Sequence, residues 1–138
     1  MILTKVVLDS SATIAWFMPD EAASQDLLER VATDGAVVPS IWPLEIGNAL
    51  LLAVRRGRIT ATHRTNALEQ LALLPIEHDA ETLAHAWTTT LGLADRFRLT
   101  LYDACYVELA RRRGLPLASL DRNLRVAAER LGVPLLGV

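Results

Sequence analysis

The sequence is poor in the residues that build several common kinds of site. Its 138 residues include a single cysteine, Cys105, and a single lysine, Lys5. One cysteine cannot form an internal disulfide. The three histidines, His63, His78 and His85, have no cysteine or histidine neighbours at the spacing of zinc ligands. We therefore expect neither a disulfide scaffold nor a zinc site.

Long apolar runs and a basic excess are also missing. No uninterrupted apolar stretch reaches the roughly 20 residues of a membrane helix, and no basic segment precedes a long apolar region at the N-terminus. We expect a cytoplasmic protein without a membrane segment. With 51% hydrophobic residues, the chain can bury a core as one domain, residues 1–138, and part of the aliphatic surplus could face a partner chain.

The formal net charge of −2 gives no overall basic field that would attract nucleic acid. Most arginines nevertheless lie in three clusters: residues 55, 56 and 58; residues 111–113; and residues 122, 125 and 130. These clusters could contact an RNA backbone or an acidic partner. They could equally be solvated helix ends, since cations suit the last turn of a helix.

Strand and helix patterns alternate along the chain. Strands are predicted at residues 2–8, 36–38, around 76, 117–120 and 134–138, and helices at 10–17, 20–33, 43–57, 60–74, 80–91, 101–113 and 122–131. Such alternation predicts right-handed crossovers and a mainly parallel sheet covered by helices on both faces. Ligands of such sheets bind outside the carboxyl ends of the strands.

Four acidic residues stand in apolar surroundings. Asp9 ends the first apolar run, and Asp121 ends the run that begins at Leu115. Glu45 and Asp103 lie inside apolar segments at the predicted starts of two helices. All four could therefore converge on the rim formed by the carboxyl ends of the strands.

A simpler interpretation treats each acid as a helix cap or first-turn carboxylate worth about 1 kcal/mol. It fits Glu45 and Asp103 less well, because an unpaired charge among large apolar residues costs several kcal/mol. Clustered carboxylates without imidazole or thiolate favour Mg²⁺ or Mn²⁺. Such ions activate water and stabilise charge on a phosphoryl group, which points to phosphodiester hydrolysis.

The segments that carry these acids resemble a known family. Residues 6–11, 42–50, 100–106 and 117–124 resemble, in order, the four acidic motifs of PIN-domain ribonucleases. The compact length and the Glu45-x-x-Asn48-Ala49-Leu50 arrangement are most similar to VapC toxins of toxin–antitoxin pairs.

The resemblance implies an α/β fold, a PIN-like three-layer α/β/α sandwich with a mainly parallel central sheet. It also implies a Mg²⁺-dependent endoribonuclease that cleaves RNA, forms a homodimer and is neutralised by a VapB-type antitoxin. Asp9 and Asp103 are then expected to contact the metal directly, and Glu45 and Asp121 to act through water or on a second ion. The family pattern also places three supporting polar side chains near the site: Ser11, Thr100 and Asn48. For Ser11 and Thr100, a turn and a helix cap are equally good interpretations.

Other functional classes fit less well. A haloacid-dehalogenase phosphatase needs a second Asp two residues after the first, and position 11 is Ser. A response-regulator receiver needs a lysine late in the chain, whereas Lys5 is the only one. The remaining alternative is a catalytically inactive PIN-like binding module. Trp16, Phe17 and Met18 suit either a partner surface or the core, and Trp42 is a further candidate anchor for an antitoxin.

Overall fold

The computed structural model describes residues 4–136. The strands in this range are β1 (Val6–Leu8), β2 (Ala36–Val38), β3 (Ile76–His78) and β4 (Leu117–Ala118). The α-helices are α1 (Ser10–Ile14), α2 (Gln25–Asp34), α3 (Trp42–Arg55), α4 (Ala61–Ala72), α5 (Leu91–Phe97), α6 (Leu101–Arg113) and α7 (Arg122–Arg130). A 3₁₀ turn, Leu83–His85, and a π-helical turn, Ala86–Thr90, lead into α5. Across residues 4–136, no helix is both long and apolar enough to cross a bilayer.

The four strands form one parallel sheet in the order β3-β2-β1-β4. This confirms the predicted α/β fold with a mainly parallel central sheet. After β1 the chain moves to β2 on one side and later returns to β4 on the other, so the order reverses between β1 and β4. In open parallel sheets the crevice at such a reversal is the usual ligand site.

The two central strands are buried on both faces. Every residue of β1 and β2 has no solvent exposure, as expected for short apolar strands covered by helices. Helix α6 packs on β1 and β4, and its residues 104–110 are all buried. The α6 helix is thus a core element, and its first turn lies next to the sheet reversal.

Glycine ends the helices on either side of this core. Gly35 follows α2 with φ 87°, and a Cβ there would come within 3.1 Å of the Pro75 carbonyl oxygen. Gly114 ends α6 in the left-handed region with φ 65°. Both positions favour glycine because other residues are strained at such φ values.

Three predicted helices differ from the observed ones by three residues or more. Helix α1 ends at Ile14 rather than at residue 17. Helix α2 starts at Gln25 rather than at residue 20, because the Ser24 side chain caps it while Asp20 pairs with Arg58 at 2.6 Å. The segment predicted as a helix over residues 80–91 contains the 3₁₀ and π turns instead. Thr82 accepts a hydrogen bond from the Ser40 N–H and donates to Asp79 Oδ2. These two contacts tie the start of the segment to other parts of the chain.

The first and last predicted strands are only partly within the described range. Residues 2 and 3 lie outside it, and β1 begins at Val6. Near the C-terminus Leu135 forms an isolated parallel bridge with Leu117. Gly137 and Val138 lie outside the described residues.

Candidate functional site

Asp9 lies directly after β1, the strand between β2 and β4, and is only 3% exposed. Its Oδ2 accepts hydrogen bonds from the hydroxyls of Ser11 and Ser119, both at 2.6 Å. Its Oδ1 accepts a longer bond of 3.3 Å from Ser10. Hydroxyl donors offset part of the cost of burying a carboxylate, but they leave its negative charge in place.

The two closest hydroxyls also join the loops after β1 and β4. Ser119 Oγ accepts the Asp121 N–H at 3.0 Å, and Ser11 Oγ accepts the Leu120 N–H at 3.0 Å. Because each oxygen already accepts a backbone N–H, each hydroxyl is free to donate to Asp9. Ser119, which is fully buried, was not among the residues predicted from the sequence. The available signal was a hydroxyl two residues before Asp121 in an apolar run.

Glu45 lies in the first turn of α3 and is half-buried. The Tyr106 hydroxyl donates a hydrogen bond to Glu45 Oε1. Burial raises the pKa of Glu45, and the negative charges of Asp9 and Asp103 raise it further, against the opposing effect of the Tyr106 bond. Tyr106 is fully buried, and its burial together with the bond to Glu45 raises its own pKa. Tyr106 was also missed from the sequence, where the available signal was an aromatic residue three positions after Asp103.

Asp103 and Asp121 occupy the starts of α6 and α7. Burial raises the pKa of Asp103, followed by the charges of Asp121 and then Asp9. Asp121 caps α7, with Oδ1 accepting the Leu124 N–H at 2.9 Å. Asp121 therefore has the capping role that the simpler interpretation assigns to it, and it also acts electrostatically on Asp103.

These mutual effects place the four predicted acids in one electrostatic group at the carboxyl end of the sheet. Within residues 4–136, none of the four forms an ion pair with a lysine, arginine or histidine. Over the same range, no three His, Cys, Asp or Glu side chains are already gathered closely enough to hold a metal ion. The acids therefore repel one another without a counter-charge.

This donor set fits a hard divalent cation. Its ligand atoms would be carboxylate oxygens, which suit Mg²⁺ and Mn²⁺. Burial raises the pKa values of Glu45 and Asp103, and the repulsion between neighbouring negative charges raises them further. A bound cation would relieve that repulsion.

The three supporting residues have different surroundings. Ser11 contacts Asp9 directly. Thr100 is exposed and caps α6, its Oγ1 accepting the Asp103 N–H at 3.0 Å. Asn48 is exposed on α3, one turn after Glu45, and its side chain makes no hydrogen bond within the part of the chain described. Ser11 is thus part of the acidic site, Thr100 holds the helix that carries Asp103, and Asn48 faces solvent.

Comparisons with known proteins find similar sequences that cover most of this chain. A family profile described as PIN domain matches residues 6–130. Ribonuclease VapC3 of Pyrobaculum aerophilum is 33% identical over 126 residues, covering 87% of this chain and 92% of that relative. Ribonuclease VapC3 of Mycobacterium tuberculosis is 32% identical over 122 residues, covering 87% and 85%.

Two solved structures share the fold. PAE2754 from Pyrobaculum aerophilum superposes with a TM-score of 0.70 at 23% identity, covering 96% of this chain and 84% of that one. FitAcB from Neisseria gonorrhoeae superposes with a TM-score of 0.64 at 14% identity, covering 96% of both chains.

Proposed function

This chain belongs to the PIN domain family, and from that premise we propose that it is a Mg²⁺- or Mn²⁺-dependent endoribonuclease of the VapC toxin type. Its relatives in Pyrobaculum aerophilum and Mycobacterium tuberculosis carry the name ribonuclease VapC3. The observation that carries the proposal is the group of four carboxylates, Asp9, Glu45, Asp103 and Asp121, which has no cationic partner in the described chain.

The proposed metal ligands are Asp9 and Asp103, with Glu45 and Asp121 acting through water or on a second ion. When bound, the ion supplies an activated water and neutralises charge on the phosphoryl group. Ser11 and Ser119 hold Asp9 by two short hydrogen bonds, so its carboxylate has one fixed orientation. Tyr106 holds Glu45 Oε1, and its raised pKa keeps the phenol protonated as a donor.

We propose a VapB-type antitoxin as the partner that neutralises the enzyme. Two clefts beside Trp16 and Phe17, of about 400 and about 360 Å³, offer apolar surface for it. An arginine in the antitoxin tail could pair with the acidic group and exclude the metal. The enzyme itself would act as a homodimer.

The burial of the four candidate side chains decides which of them could anchor this partner. Trp16 and Phe17 are half-buried, packing against the core while also lining the clefts. Met18 is only 5% exposed and Trp42 only 6%. Of the two interpretations of Met18, the core is therefore the observed one, and Trp42 is too buried to be a surface anchor.

A cleavage assay tests the proposed function. The purified chain, free of any partner, should cleave single-stranded or looped RNA with Mg²⁺ or Mn²⁺ and stop when a chelator is added. Asp103→Asn should abolish cleavage, whereas Asp26→Asn, which changes an exposed acid in the first turn of α2, should not. Cleavage that resists the chelator would contradict the metal mechanism.

The second candidate function is a PIN-like module that binds without cleaving. The observation in its favour is that no three acidic, histidine or cysteine side chains in residues 4–136 are already gathered around a metal position. The same assay separates the two functions. A folded, metal-supplied protein that never cleaves RNA would establish the binding module.

A further inference from the structure

An exposed aromatic residue directly precedes Asp103 in the first turn of α6. Tyr102 is 60% exposed and lies in the first turn of α6, immediately before Asp103. In the described part of the chain, its ring has neither an aromatic neighbour nor a cation over its face. Large rings are usually covered in a folded protein because their faces are apolar. The ring of Tyr102 is therefore available to a ligand.

The helix geometry fixes the side of α6 on which this ring lies. Residues four apart on a helix share a face, so Tyr102 lies one turn before Tyr106 on the same side. Tyr106 is fully buried and reaches across to Glu45 on α3. Helical side chains also lean toward the N-terminus of their helix. Tyr102 consequently lies at the exposed end of the α6 side that faces Glu45, and it directly precedes Asp103 in the chain.

The charges around the site indicate which part of a nucleic acid such a ring could bind. The acids repel the phosphates of a nucleic acid, so the strand needs attractive contacts beside them. In two of the arginine clusters, some side chains already bind groups of the chain itself and so attract phosphates less. Arg112 and Arg113 pair with acidic residues of the chain, and Arg125 donates to the carbonyl oxygens of Ser119 and Leu136. Base stacking on an aromatic ring is an attraction that the acids do not oppose.

We propose that Tyr102 stacks on an unpaired base next to the cleaved phosphodiester and thereby selects unpaired RNA, an inference that rests on the proposed ribonuclease function. A base within a duplex is already stacked between its neighbours and cannot offer its face to the ring. An unpaired base can do so whatever its identity, because every base has a π face. Tyr102 thus selects for strandedness rather than for sequence.

Steady-state cleavage of a single-stranded oligonucleotide with one mapped cleavage site tests this role. Tyr102→Ala should raise KM about tenfold with little change in kcat, and Tyr102→Phe should retain the KM of the wild type. Trp87→Ala is the matched control. Trp87 is 86% exposed in the π turn, and that turn follows His85, which contacts Glu108 in the second half of α6. The control should change neither constant, and all three variants should keep the melting temperature of the wild type.

A substrate change then identifies the contact. The oligonucleotide is made with an abasic site on one side or the other of the cleaved bond. One of these substrates should abolish the difference between wild type and Tyr102→Ala, because the stacking partner is gone. A tenfold higher KM of Tyr102→Ala on both abasic substrates would overturn the inference. An unchanged KM for Tyr102→Ala on the intact strand would overturn it as well. Either result with an active wild type leaves the ribonuclease function standing, whereas a wild type that cleaves no RNA overturns both.

Discussion

Asp9 and Asp103 carry the same carboxyl group, yet the chain holds them by different means. Asp9 is 3% exposed and accepts hydrogen bonds from the hydroxyls of Ser10, Ser11 and Ser119. Asp103 is half-buried, and its pKa is raised by burial and by the charges of Asp121 and Asp9. Three hydroxyls thus depend on Asp9 as their acceptor, whereas burial and neighbouring negative charge raise the pKa of Asp103. Substitutions at the two positions should therefore change stability in opposite directions.

Asp103→Asn should raise the melting temperature of the metal-free protein at pH 7 by about 3 °C, because it removes a repelled charge. The pKa of Asp103 in the folded state lies above its ordinary 3.8. Such a group favours folding below pH 3.8 and loses that contribution as the pH rises through the folded-state pKa. The difference in melting temperature between Asp103→Asn and wild type should therefore grow from about pH 4 to pH 7 in thermal melts with chelator. A difference that stays constant over this range would contradict the proposed repulsion.

Asp9→Ala should instead destabilise the metal-free protein by about 1–3 kcal/mol. It removes the oxygen that accepts the short hydrogen bonds of Ser11 and Ser119, and both hydroxyls are oriented by the backbone N–H groups that they accept. Asp26→Asn, an exposed acid, is the control for both melts. Neither site variant should cleave RNA. If Asp9→Ala melts at or above the wild type, the hydroxyl contacts to Asp9 do not stabilise the fold.

At the scale of elements, Arg112 holds α6 to the segment after β3. Its Nε donates to Glu108 and its terminal nitrogen to Asp79, both at 2.7 Å. Asp79 is 5% exposed and Glu108 3%. Burial raises the pKa of Asp79, but the bonds from Arg112 and Thr82 outweigh it and leave the pKa below its ordinary value. The arginine cluster at residues 111–113 had two open interpretations, RNA contact and solvated helix ends. Arg112 fits neither, because it forms an internal ion pair.

Arg112→Ala should lower the free energy of unfolding by about 3 kcal/mol, because it leaves two buried carboxylates without their cation. Arg111→Ala is the matched control, since Arg111 is exposed on the same helix, and it should change stability by less than about 0.5 kcal/mol. Urea denaturation of both variants measures the difference. Equal losses would mean that the ion pair has no net effect on folding.

At the scale of the whole molecule, the proposed antitoxin surface lies on a different part of the chain from the acids. The cleft of about 360 Å³ is lined by Trp16, Phe17, Leu28, Ala32, Gln70, Leu73 and Leu74. Leu73 is 85% exposed, although its side chain is apolar. Partner binding and catalysis should therefore be separable by substitution.

Leu73→Ala should weaken binding of the proposed VapB-type antitoxin by about tenfold while leaving RNA cleavage unchanged, because it removes apolar surface from the cleft alone. Phe17→Ala should weaken it further, with some loss of stability from its core contacts. Titration calorimetry measures the affinity, and Trp87→Ala is the control, because Trp87 does not line this cleft. Unchanged affinity in both cleft variants would place the partner surface elsewhere.

The sequence by itself determined the order of strands and helices and the positions of the four acids at their ends. These features follow from local patterns: short apolar strands, capping residues and acids that interrupt apolar runs. The start of α2 and the segment over residues 80–91 were predicted wrongly. Contacts from distant residues decide them, as when Arg58 takes the carboxylate of Asp20 and Ser40 binds Thr82.

Only the tertiary structure decided how the acids are held. Ser119 reaches Asp9 across 110 residues of chain, and Tyr106 reaches Glu45 across 61. A local pattern cannot reveal such partners, because the crossovers of a parallel sheet bring them together only when the strands pair. Burial and mutual repulsion, which raise the pKa values of Glu45 and Asp103, depend on the same pairing. The sequence supplied the charged groups, and folding placed them close enough to act on one another.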